Sequence, residues 1–160
     1  MSDDVVERLG AICLAPYRVL GAAAPLLTND AAVVRAHELA RGFGAVALAV
    51  RERLGRDLQP DPLVERVLAR AVGDDATGAF ALYALAVVVA PRLLVFLRDA
   101  RARVEGDDRE LLDRASDLVV GEIVAIRDLA GLLGDAGQWR TSARELTDEM
   151  DAAGFAESLA

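Results

Sequence analysis

The chain has 160 residues, a formal charge of −8 and an apolar share of 54%, so it is long enough for a real core and too acidic to favour a nucleic-acid backbone. All 18 basic residues are arginine, which excludes Schiff-base lysines and the lysine of a phosphate-binding loop. Cys13 is the only cysteine and the start, Met1-Ser2-Asp3-Asp4, lacks the basic flank of a signal peptide, so no intrachain disulfide can form and a cytoplasmic protein is expected.

A first helix is predicted after Ser2, with Asp3 and Asp4 at its positive end, running toward Leu14; Pro16 kinks or restarts it, and it ends between Gly21 and Pro25. Thr28, Asn29 and Asp30 are candidate caps for a long second helix from Ala31 to Leu54, stopped by Gly55. Asp61-Pro62 then pairs a cap with a proline at the first helical position, opening a short third helix that ends before Gly73.

The central fourth helix is predicted from Asp75 or Thr77 to Arg101. Its segment Ala79 to Phe96 is apolar all round except at Pro91 and Arg92, the pattern of a helix without a solvent face. Pro91 cannot donate to the carbonyl of Val87, so a bend is expected there. A membrane span has the right length, but Arg92 inside the window and Asp74-Asp75 before it favour a buried helix and no membrane contact.

Asp107 with Glu110 resembles a capping box for the fifth helix, whose broad apolar face carries Leu111, Leu112, Ala115, Leu118, Val119, Ile123, Ile126 and Leu129. Val120 and Val124 lie nearly opposite that face. A last short helix is predicted from Ser142, with Glu145 completing a second box, and the tail from about residue 153 reads as fraying. These elements give an all-α, single-domain antiparallel bundle of about six helices, spanning residues 1–160, with a buried central helix. Apolar residues on two sides of the fourth and fifth helices exceed what one small domain can cover. A homodimer is therefore expected through Val120, Val124 and Arg127 of the fifth helix and Val88 and Val95 of the fourth.

Few residues point to chemistry. His37, the only histidine, sits at the boundary of an apolar stripe and reads as structural or solvent-facing, with pocket lining as the alternative; no ligand cluster surrounds it, so no metal or cofactor is expected. Glu122 lies on the apolar stripe of the fifth helix, where a carboxylate must be paired or hold its proton. Arg92 is its candidate partner. The readings are two stripe-edge groups reaching water, a buried pair fixing helix register, or ligand recognition. Tyr17, Phe43, Phe80, Tyr83 and Phe96 read as core aromatics that could wall a pocket. Gly42 and Gly44 inside the second helix point to close packing or ligand room. No serine or threonine has a recognisable base partner, so a non-enzymatic protein is expected.

The segments Leu26-Leu27, Arg35-Ala36-His37-Glu38 through Ala47, and Ala49-Val50-Arg51-Glu52-Arg53-Leu54-Gly55-Arg56-Asp57 resemble the C-terminal domain of TetR-type transcriptional regulators. The likeness continues in Asp61-Pro62-Leu63-Val64-Glu65-Arg66-Val67-Leu68, Leu93 to Phe96 and Leu111-Leu112-Asp113-Arg114-Ala115. It rests on segment order and composition, and no helix-turn-helix segment precedes it here. The resemblance implies an effector-binding and dimerising role in transcription regulation. It also implies a small apolar or amphipathic ligand, a further protein partner and no direct nucleic-acid contact. Tyr17, His37, Phe43, Phe80, Tyr83, Arg92 and Glu122 are then the candidate ligand contacts. The alternative is a structural or interaction homodimer with no small ligand.

Overall fold

The computed structural model describes residues 2–133 and 136–155, with side chains at all of these except 2, 123, 126–133, 136 and 138. Helix α1 (Ser2–Ala23) passes through Pro16 without restarting and ends in a single 3-10 turn, Ala24–Leu26. Helix α2 (Asp30–Leu54) starts where the Asn29 carboxamide accepts from the Ala32 N–H, and stops at Gly55, whose φ of 68° is open to glycine at no steric cost. Asp61 opens α3 (Pro62–Asp74), its side chain accepting from the N–H groups of Leu63 and Val64. Its own N–H donates to the Ala11 carbonyl at 2.9 Å, which ties the start of α3 to α1.

The central helix comes in three pieces: α4 (Ala79–Ala84), a π turn (Leu85–Val89) and α5 (Ala90–Arg101). Asp75 and Thr77 prepare its start together, since the Asp75 carboxylate accepts from the Thr77 and Phe80 N–H groups and Thr77 Oγ1 accepts from the Ala79 N–H. The expected disturbance at Pro91 takes the form of the wide π turn just before it, where Ala90 donates to Leu85. Arg92 adds a guanidinium bond to the Val88 carbonyl at 3.3 Å, inside the π turn. The stretch Ala79–Arg101 is long and apolar enough to cross a membrane, as is Asp3–Leu26, but 67% of its most apolar window is buried by its own neighbours. It is the core helix of the bundle.

Helix α6 (Gly106–Leu133) packs on α5 and α2, and α7 (Arg140–Ala152) packs on the π turn and is tied to α3 by the ion pairs Arg66–Glu149 and Arg70–Glu145. With α4 and α5 taken as halves of one helix, the described residues form six helices around one core. Phe43, Phe80, Phe96, Leu9, Ile12 and Leu112 are fully buried there. Arg53 in the last turn of α2 forks onto the buried Asp108 in the first turn of α6, at 2.9 and 3.2 Å, so each charge also meets the favourable end of its helix dipole.

Two expectations are corrected. The Ser142–Glu145 box does not form: α7 already starts at Arg140, because Trp139 packs on Phe80 and Tyr83 at ring-centroid distances of 6.2 and 5.5 Å, and Glu145 turns to Arg70 instead. Residues 153–155 lie on the body, with the Phe155 N–H donating to Met150 and its buried ring against Arg8; the rest of the expected fraying tail lies outside the described residues. Val88, expected on a dimer surface, is fully buried, and the neighbouring Val87 is the exposed residue. One residue of helical phase is roughly 100°, and the π turn at Leu85–Val89 re-phases the helix relative to a regular α-helical ladder.

Candidate functional site

Helices α1 and α2 run antiparallel, and glycines set how closely they approach. A Cβ added at Gly10 would lie 2.6 Å from Val50, one at Gly44 would lie 2.6 Å from the ring of Tyr17, and one at Gly21 would rest 3.8 Å from Ala40. Gly42, on the other side of α2, receives Leu118 of α6 in the same way, at 2.7 Å. The two mid-helix glycines of α2 are therefore notches for neighbouring side chains on opposite flanks.

With its ring seated on Gly44, Tyr17 remains half-exposed and forms the floor of a groove of about 820 Å³. Its apolar wall is Leu14 and Tyr17 from α1, Ala45 and Leu48 from α2, and Leu58 from the linker that closes one end. Three arginines, Arg18, Arg41 and Arg51, reach the same groove with Asp57 and Gln59. Arg51 and Asp57 approach to 3.5 Å as an exposed pair, whereas among the described residues Arg18 and Arg41 have no carboxylate partner. A second concavity of about 590 Å³ lies across Arg18, walled by Val19, Ala22, Leu26, Leu27, Ala69 and Val72.

The structure scatters the residues singled out in the sequence. Tyr17 lines the groove. His37 is exposed on the outer side of α2; Phe43 and Phe80 are in the filled core, and Tyr83 packs on Trp139. Arg92 and Glu122 do not meet. Arg92 forks onto Asp151 of α7 with two bonds of 2.8 Å, and Glu122 takes Arg35 of α2 as its partner. Glu122 has a side chain only 13% exposed, and burial lifts its carboxyl above the ordinary range despite the opposing pull of Arg35. Arg35 is shared with Glu38, and its Nη2 lies 2.5 Å from Glu122 Oε2. The pair holds α2 against α6 and belongs to neither concavity.

On the outer face of α6, Val120 and Val124 are more than half exposed; Val95 is half-buried and the Arg127 side chain lies outside the described residues. Burial pushes the Cys13 thiol up to about 12, so at neutral pH it is an inert apolar group. Among the described residues no three His, Cys, Asp or Glu side chains gather as metal ligands.

The groove was missed in the sequence because its apolar members sit at 14, 17, 45, 48 and 58, on three separate elements. The available signals were Tyr17 and Gly44, both singled out there; Gly42 receives Leu118 on the opposite flank. No family model, no curated protein and no solved structure matches the chain. What stands of the regulator resemblance is an all-helical bundle with a buried core.

Proposed function

We propose that this chain is a non-enzymatic helical domain that binds a small, partly apolar molecule in the groove between α1 and α2 and pairs with a second copy through the outer face of α6. The role follows the effector-binding and dimerising domains of TetR-type regulators, where occupancy of a site shifts helix angles and with them a partner surface. The observation that carries the reading is the groove itself. At about 820 Å³ it has the size of a small-molecule site, and its apolar side chains share the lining with Arg18, Arg41, Arg51, Asp57 and Gln59. The groups that project into it are suited to holding a ligand: guanidiniums, a phenol and aliphatic side chains.

The test is thermal unfolding of the full chain across a panel of small amphipathic compounds, repeated with Leu48→Asp. A ligand bound to the folded state raises the midpoint by mass action. Leu48 is half-exposed, so its substitution spares the core and removes the stabilisation. A rise that survives Leu48→Asp, or no rise with any compound, counts against the groove. Assembly without a ligand is the second reading, favoured by the exposed Val120 and Val124 and by a core that Phe43 and Phe80 fill.

A further inference from the structure

The groove differs in charge from the rest of the molecule. The whole chain carries −8, and most arginines that pack between helices are held by fixed carboxylates, as Arg53 is by Asp108 and Arg92 by Asp151. Arg18 and Arg41 are both exposed and both line the groove, and, as for Arg103, Arg114 and Arg144 elsewhere on the surface, neither has an acidic partner among the described residues. They also share one end of it. The antiparallel register set by Tyr17 on Gly44 and Gly21 on Ala40 places position 18 of α1 beside positions 41 to 44 of α2. Leu14 and Leu48 lie further along, Leu48 being seven residues, or about 10 Å, along α2 from Arg41, and beyond them the other end holds Leu58, Gln59 and the Arg51–Asp57 pair.

A cationic end without acids, an aromatic floor and an aliphatic stretch about 10 Å along, bounded by the mutually neutralising Arg51–Asp57 pair, match a molecule with an anionic head and a short apolar body. We infer that the groove selects a small amphipathic organic acid, its carboxylate at the Arg18–Arg41 end and its apolar body along Tyr17, Leu14 and Leu48. This rests on the ligand-binding reading above and adds the chemical class. A phosphate alone would leave the aliphatic stretch bare. A neutral apolar compound would leave two guanidiniums unused beside it. Because the net charge of the chain opposes an anion at long range, the attraction acts at close range and weakens with added salt.

The experiment is calorimetric titration of the full chain with decanoate, decan-1-ol and decylamine, each below its aggregation concentration, at low and at physiological salt. Arg18→Gln, Arg41→Gln and the double variant are measured alongside. Decanoate is expected to bind roughly tenfold tighter than the alcohol and the amine, and the double variant to bring it down to the level of the alcohol. Both arginines are exposed and without acidic partners, so the variants keep the fold, which circular dichroism checks. Equal binding of acid and alcohol, lost in Leu48→Asp, overturns the anion selectivity and leaves the groove as a binding site. Decanoate binding unchanged in the double variant, or tightest binding of the amine, also overturns it. Binding of none of the three removes both the selectivity and the groove.

Discussion

The ring of Tyr17 occupies the space where residue 44 would carry a side chain: a Cβ there would come within 2.6 Å of Cδ2 and 3.0 Å of Cε2. A glycine inside a long helix costs about 1 kcal/mol relative to alanine, so its place here is explained by the ring it admits. Gly44→Ala recovers that propensity and displaces the half-exposed ring. The two effects oppose each other, leaving unfolding free energy changed by less than about 1 kcal/mol while ligand binding in the groove weakens. Denaturant unfolding and a groove titration on the same protein separate stability from function.

Gly10 and Gly42 meet different neighbours and respond differently. At Gly10 the obstacle includes both Cγ1 and Cβ of the fully buried, β-branched Val50, which has no free rotamer to move into. Gly10→Ala is expected to destabilise by about 1–3 kcal/mol. At Gly42 the closest atom is a terminal methyl of the partly exposed Leu118, which can swing away, so Gly42→Ala changes stability by less than about 1 kcal/mol in either direction. Paired urea titrations read the contrast.

Glu122 gives a pH dependence of definite sign. Its carboxyl is raised, chiefly by burial and against the pull of Arg35. The folded state therefore holds this proton more tightly than the unfolded chain. Stability from this group is present below the ordinary value of 4.5 and declines as pH rises above it through the folded-state value. Glu122→Gln abolishes that decline. The stability of the native protein relative to the variant should fall as pH rises from 4 toward neutrality, measured by unfolding at several pH values; a relative rise over that range contradicts the assignment.

The exposed valines of α6 carry the dimer expectation. Val120 and Val124 are 51% and 58% exposed, so arginine at both sites disturbs no internal packing. Sedimentation at micromolar concentration should show a dimer for the native chain and a monomer for Val120→Arg/Val124→Arg, with unchanged helical content. A native monomer would remove the second half of the proposed function and leave the groove untouched.

What could be read in the sequence was what neighbours in sequence decide. Asn29, Gly55 and Asp61 mark helix ends through bonds to residues two to four positions away, and each does so in the structure. The all-helical class and the buried central helix follow from the apolar periodicity in the same way. Pro91 revealed that the ladder must break, but not that a π turn would repair it, because that choice depends on how Arg92 and the surrounding helices receive the wider turn. Glu122 could be recognised as a carboxylate on an apolar stripe. Its partner could not: Arg35 and Arg92 are both far away in sequence, and only the packing of α6 on α2 decides between them. Trp139 moved the start of α7 by stacking on rings more than fifty positions earlier. The groove depends on helix register across three elements, a relationship that no single stretch of chain contains.

The most direct measurement is the nuclear magnetic resonance spectrum of the labelled full chain during titration with decanoate and, separately, decan-1-ol. Ligand in the groove should shift the signals of Tyr17, Gly44, Leu48 and Leu58 together and saturably, with those of Val120 and Val124 following only as far as occupancy alters the α6 face. Signals of Tyr17 and Leu48 that stay fixed under both compounds, or shifts confined to α6, would contradict a binding site between α1 and α2.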